Sequence, residues 1–496
     1  MSLLYTDSKE LLPLFIAGER RLGRGDESQT TYPATGEVVG RLRTPSLEDV
    51  NEAIEAADHA FRHSGWAQRK PHERAAMLHR VAQLIRERAE PLAQRQRQDN
   101  GKPISETRAL VASAASTFQF FAAACETMEE TLTPSRGDFF TMSVHEPMGV
   151  VAAITPWNSP IASEAQKLAP ALAAGCSVVV KPAEVTPLMA LELAAICEEA
   201  GLPKGMISVL PGRGSVMGDA ITRHPLVKRV SFTGGTSTGK HIARIAADKM
   251  MPVSMELGGK SATMVLADAN LDHAVNGVLY GIFSSSGESC IAGSRLFVAR
   301  QHYAEFMERL AAKAAALRVG DPCDERTQMG PLITAKHRDS IEQYVAKGLA
   351  EGGQLRIGGK RPDGPLFERG NYYLPTIIEG LNNRATIAQE EIFGPVLVAM
   401  PFDDEDDLLA QANDSVYALA AGIWTGDYKK AWRIGRAVQA GTVWINTYKQ
   451  FSISTPFGGW NDSGLGREKG RLGIQQYMEQ KAMYWGLNDQ PLPWAG

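Results

Sequence analysis

A single cysteine set among small residues, Cys290 in FSSSGESCIAGSR, follows a carboxylate set well apart from it, Glu256 in MELGGK. Two such groups can divide one reaction between them. A thiolate attacks a carbonyl carbon, and a carboxylate later activates water against the resulting thioester. Asn158 in TPWNSP stands between a predicted strand and a predicted helix. A side-chain amide there can donate to a developing oxyanion, and it can also cap the helix. Each residue alone has an ordinary structural use, because most cysteines fill cores. Only in combination with the motifs around them do these residues point to covalent chemistry.

VVVKPAEVTP places Lys181 and Glu184 just beyond a strand end. A carboxylate in that place accepts hydrogen bonds from ribose hydroxyls and repels a 2′-phosphate. FTGGTSTGK contains Gly234-x4-Gly239-Lys240, close to a phosphate loop, but His241 stands where a magnesium-binding Ser or Thr belongs. The reading that remains is a glycine turn before a helix, whose N-terminus suits a pyrophosphate. Gly212, Gly214 and Gly218 form GxGxxxG, one residue longer than the usual dinucleotide fingerprint. EEIFGPV (390–396) and PFGGWNDSGLGRE (456–468) are rich in glycine and aromatics, as suits loops that let a flat ring approach closely.

The elements that must position these groups alternate between strand and helix. Ser46 and Asp49 form a capping box, and Val50, Ile54, Ala57 and Phe61 then share one helical face. More helix is predicted over 72–100 and 103–130. FFTMSVHEPMGVVAAITP reads as a hairpin-like strand pair turning near Pro147–Gly149. From 150 to 260 short apolar strands alternate with helices over 160–174, 187–200, 215–223 and 236–248. That pattern implies right-handed βαβ units in a parallel sheet, with ligands at the carboxyl ends of the strands. A second α/β series runs to about 455. KAMYWGLN near the end is strand-like with no partner beside it in sequence, as expected of a strand that pairs with another subunit. The acidic run Asp403–Asp407 reads as a solvated helix start.

Composition narrows the class. The 496 residues carry a net charge of −4, so nothing points to nucleic acid or to an anionic membrane. Five scattered cysteines without CxxC argue against a disulfide framework and a structural zinc site, so no metal is expected. A reduced cytoplasmic setting follows. The N-terminal residues lack a signal-peptide pattern, and no uncharged apolar run reaches the roughly 20 residues of a membrane span.

Together these motifs resemble the NAD(P)-dependent aldehyde dehydrogenase superfamily. The resemblance runs from TYPATGEVVG and DNGKPI through TPWNSP, KPAE, FTGG, MELGGK and GESC to EIFGPV and PFGGWNDSGLGRE. It implies an α/β fold with three parts. They are a doubly wound NAD-binding domain (1–130 and 150–257), a catalytic domain (258–455), and oligomerisation strands (131–149 and 470–496). It implies that Cys290 is the nucleophile, Glu256 the general base, Asn158 an oxyanion donor, and Lys167 a neighbour of the site. Trp157, Lys181, Glu184, Gly214, Phe232, Gly234, Gly235, Leu257, Glu391 and Phe393 would then contact the cofactor. Lys181 and Glu184 favour NAD over NADP. A homo-oligomer, dimer or tetramer, is expected.

The chain departs from the family pattern at Ser285 and Glu288, where Asn and Gln are usual, and at Gly235 in place of Ser. Glu288 lies two residues from the thiol and would raise its pKa if it pointed inward; the expectation is a backbone or solvent partner instead. By the same resemblance Ser159, Ser163, Gln166, Ile291, Lys449, Phe451 and Phe457 line the aldehyde tunnel. Ile291, Phe451 and Phe457 supply apolar wall, whereas the polarity of Ser159, Ser163 and Gln166 predicts a polar substrate, with Lys449 pairing a carboxylate on a semialdehyde. The alternatives are a broad-specificity alkyl or aromatic aldehyde oxidiser and a CoA-acylating relative. The latter commonly lacks the base that Glu256 supplies. A non-catalytic member is disfavoured by the intact Cys290, Glu256 and Asn158, and a nucleotide triphosphatase by His241.

Overall fold

The structure is a computed structural model that describes residues 10–489 and Trp494. The first nine residues, where a leader was sought, and most of the last seven lie outside the described residues.

Continuous β-branched runs build the first sheet. Val150–Ile154 and Ser177–Lys181 are buried along their whole length, as strands covered on both faces must be. They pair in parallel with each other, and Val150–Ile154 pairs on its other side with Val227–Thr233. Ile207–Val209 and Val253–Glu256 extend the two flanks. The first of these five parallel strands, Val150–Ile154, therefore sits in the middle. Successive strands add to one side and then return to the other, which makes the carboxyl end of Val150–Ile154 a topological switch point. The helix Pro160–Ala174 leaves that end with proline in its first turn and stops at Gly175, whose φ is +99°. Leu14–Ile16 and Glu19–Arg21 close one edge, and Gly464–Leu465 closes the other.

A second sheet of seven strands has the order 354–357, 376–379, 396–402, 295–299, 262–265, 420–424, 442–445. All its pairings are parallel except the first.

Two expectations need correction. Residues 139–147 and 150–154 do not form a hairpin. Phe139–Pro147 is half-exposed and pairs antiparallel with Met478–Gly486 over its full length, whereas Val150–Ile154 enters the buried parallel sheet. A strand with one wet face cannot replace one buried on both, and Gly149 (φ +115°) turns the chain between them. The tail strand therefore has a partner within its own chain. It remains an edge, in the order 478–486, 139–147, 131–133. The helix predicted over 72–100 is two helices, Pro71–Glu87 and Ala89–Asn100, joined at Arg88.

The Ser46–Asp49 capping box is present, with Ser46 Oγ accepting from the Asp49 amide at 3.2 Å and Asp49 Oδ2 from the Ser46 amide at 2.9 Å. Asp404 caps the helix Glu405–Asn413 through the Asp407 amide, which accounts for the acidic run. The helix Ile104–Glu126 is long and apolar enough to cross a membrane by composition alone; here it packs against the helices Pro71–Glu87 and Pro160–Ala174.

Candidate active site

A cavity of about 920 Å³ opens along the carboxyl ends of the first sheet and reaches Cys290. Every residue expected at the cofactor lines it: Trp157, Lys181, Glu184, Gly214, Phe232, Gly234, Gly235, Leu257, Glu391 and Phe393. Asn158, Glu256 and Cys290 line it too. Gly234 and Gly235 follow the strand Val227–Thr233 and lead into the helix Thr236–Asp248, which has no side-chain cap at its N-terminus. Its first amides are left for a ligand. A Cβ added at Gly214 or Gly235 would meet nothing within 4 Å, so these glycines leave room at the cavity wall. Burial lowers the Lys181 ammonium to about 8, against the opposing charge of Glu184.

The loop that carries Cys290 is held from outside the sheet. Ser285 and Ser286 have φ of 58° and 53°, and Gly287 follows at 73°. Such a run is strained for side-chain-bearing residues. Glu106 secures it by accepting from the Ser285 amide at 2.7 Å and from its hydroxyl at 2.8 Å. Ser286 Oγ donates to the Gly330 carbonyl at 2.9 Å. A Cβ on Gly259 would lie 2.4 Å from the Cys290 carbonyl, so the second glycine of MELGGK is what lets the two loops touch.

Glu288 turns away from the thiol. Its Oε1 accepts from the Ile333 amide at 2.8 Å, and burial pushes its carboxyl up to about 8. Its backbone carbonyl accepts from Asn158 Nδ2 at 3.0 Å. That bond fixes the Asn158 amide and leaves its second N–H for another acceptor.

Cys290 is driven up to about 12 by burial, with the charges of Glu391 and Glu256 adding and Lys449 opposing. Glu256 is raised well above the usual carboxylate range, first by burial and then by Glu468. Neither Glu256 oxygen has a hydrogen-bond partner among the described residues. A buried carboxyl without partners is a proton acceptor of raised basicity. Glu391 accepts from the Gly259 amide at 2.9 Å, and burial pushes it up to about 7.

Some expected residues fall elsewhere. Lys167 does not line the cavity; it is fully buried and donates to Glu468 at 2.5 Å and to Ser231 Oγ at 3.0 Å. Ser159 and Ser163 hydrogen-bond each other at 2.8 Å. Gln166 lines a separate narrow crevice beside Glu468 and Lys469. Ile291 packs with Trp444 and Tyr448, and both Cys290 and Phe457 lie against that cluster. Phe451 meets Phe457 edge to face at 5.5 Å. Lys449 donates to Ser284 Oγ at 2.8 Å.

Three residues of the site escaped sequence reasoning. His337 packs edge-on against Trp157 at 5.5 Å, and its ring nitrogen lies 2.8 Å from the Phe393 carbonyl. Nothing in its local sequence marks it. Glu468 is the last residue of PFGGWNDSGLGRE and Lys469 follows it, and a charged pair at the end of a glycine-rich loop was the available signal.

The fold and site are those of a doubly wound sheet with a cavity at its carboxyl ends, and a cysteine and a buried carboxyl without partners among the described residues line that cavity. The aldehyde dehydrogenase family profile matches residues 22–483, and the chain belongs to that family. Betaine aldehyde dehydrogenase of Bacillus subtilis is 37% identical over 97% of this chain and 99% of its own length. The (Z)-2-((N-methylformamido)methylene)-5-hydroxybutyrolactone dehydrogenase of Acinetobacter baylyi is 39% identical over 97% of this chain and 98% of its own. Among solved structures, betaine aldehyde dehydrogenase from Staphylococcus aureus in complex with NAD+ superposes with a TM-score of 0.96 at 36% identity, covering 98% of this chain and 97% of that one. HpcC from Thermus thermophilus gives 0.95 at 41% identity, covering 98% and 95%. The chain is an NAD-dependent aldehyde dehydrogenase.

Proposed function

We propose that the substrate is a polar aldehyde carrying a carboxylate, a semialdehyde, oxidised to the acid through a thioester on Cys290. The observation that supports the chemistry is the convergence of Cys290, Asn158 and Glu256 on one cavity. The Cys290 sulfur attacks the aldehyde carbon. The free N–H of Asn158 and the Cys290 amide hold the oxygen as it becomes negative. NAD, when bound, accepts the hydride from that carbon. Glu256 then takes a proton from water as it attacks the thioester, and the acid leaves. Lys181 and Glu184 would hold the adenosine ribose, and Glu391 with Phe393 the nicotinamide ribose.

Asn158→Ala leaves the oxyanion with one donor. We expect kcat to fall about 10²- to 10³-fold with little change in KM for NAD. An unchanged kcat would remove Asn158 from the reaction.

The substrate class rests on the polar Ser159–Ser163 pair and on Lys449, which lies close enough to Cys290 to oppose the rise in its pKa. Initial rates of NAD reduction with aldehydes matched in length, with anionic, neutral polar and alkyl tails, test it. A kcat/KM preference for the anionic tails supports the semialdehyde reading. A preference for alkyl or aromatic tails favours Phe451, Phe457 and Trp444 as the determinants and a broad-specificity enzyme. Lys449→Ala should raise KM for the anionic aldehyde far more than for the neutral one; equal effects would remove Lys449 as its anchor. A homo-oligomer, with the free edge of Met478–Gly486 in the interface, and a reduced cytoplasmic setting complete the proposal.

A further inference from the structure

Resting on that reading, we propose that Lys469, a residue outside the expected tunnel set, is a second specificity-determining cation that joins Lys449 in binding the carboxylate of the aldehyde. Only 8% of Lys469 is exposed. Its Nζ lies 4.0 Å from the Phe451 ring centroid and 5.0 Å from that of Phe457. Among the described residues its ammonium has no hydrogen-bond acceptor and no ion pair. An ammonium carries three donors and is costly to bury without partners. Cation–π contact with two rings offsets part of that cost and supplies no acceptor.

The neighbouring carboxylates do not fill the gap. Glu468 is committed to Lys167 and Ser231. Glu256 acts on Lys469 only at a distance, as does Cys290. Phe457 and Cys290 both pack against the cluster of Ile291, Trp444 and Tyr448, and the ammonium lies over the Phe457 ring, so the unfilled donors stand on the same aromatic wall as the nucleophile. Lys449 already donates to Ser284 Oγ and so has fewer donors left for the same carboxylate than Lys469. The backbone reinforces the placement: Lys469 has φ of +60°, a conformation that side-chain-bearing residues rarely hold without a reason. A carboxylate reaching past Phe457 would give the ammonium the acceptor it lacks, as a charge-assisted hydrogen bond.

The test compares kcat/KM for a carboxylate-bearing aldehyde with that for a neutral aldehyde of equal length, in the NAD-loaded enzyme. In Lys469→Met the ratio should fall about 10- to 100-fold, and Lys469→Arg should retain most of it. A second readout needs no turnover: a short unreactive dicarboxylate, glutarate, should compete with the aldehyde in the wild type and lose that competition in Lys469→Met. A ratio and inhibition unchanged by Lys469→Met overturn the assignment while leaving the semialdehyde reading intact. Failure of glutarate to compete in the wild type also overturns it, even where the variants do not fold. A wild-type enzyme with no anionic preference overturns both.

Discussion

Cys290→Ser is expected to abolish NADH formation from every aldehyde, with a loss of at least about 10³-fold in kcat, because it removes the thiol that lines the cavity. Serine keeps the loop. The φ values of 58° and 53° at Ser285 and Ser286 and their bonds to Glu106 and Gly330 do not involve the thiol. NAD should still bind, and calorimetry of NAD binding separates lost chemistry from a lost fold. The other cysteines cannot substitute. Cys125, Cys176 and Cys197 are buried, and Cys323 lies on the surface. Residual turnover within about tenfold of wild type would show that Cys290 is not the nucleophile. Measured against pH, acylation of the wild type should quicken across the neutral range. A thiol pushed up to about 12 is mostly protonated there, and its ionised fraction grows about tenfold per pH unit.

The second large effect belongs to Glu256. Glu256→Gln should form the thioester and then stall. Rapid mixing should show a burst of about one NADH per active site, followed by a steady rate lower by about 10²- to 10⁴-fold. Intact-mass measurement should find the acyl group on Cys290. A variant with neither burst nor adduct would place Glu256 in the first half of the reaction instead. The pH dependence has a definite sign. Because the folded carboxyl is raised above the ordinary range, it is protonated and inactive as a base at low pH. Deacylation therefore rises as pH climbs through that raised value, and Glu256→Gln should flatten this limb. Lys167 and Glu468 tune the same group in opposite directions, the lysine lowering it and the carboxylate raising it.

Much of this site is legible in the chain. Motif order marks Cys290, Glu256, Asn158 and the residues expected at the cofactor, and one cavity is lined by all of them. The continuous buried runs VVAAI and SVVVK identify a parallel sheet, because a strand covered on both faces has no need of a polar side. The direction of Glu288 was expected correctly in kind, but its partner, the Ile333 amide, lies in a remote loop.

What the chain determines by itself is local: which runs are strands, where caps and glycine turns fall, and which residue types can do covalent chemistry. Tertiary structure alone decides which strand edge Phe139–Pro147 joins, since two edges compete and only packing ranks them. It decides that Lys167 meets Glu468, 301 residues away, and that His337 reaches Trp157. It also decides that Lys469 loses its water between two rings without gaining an acceptor. Burial lowers both the Lys469 ammonium and the His337 ring. Burial is a property of all the elements packed around a side chain, so no short window of sequence contains it.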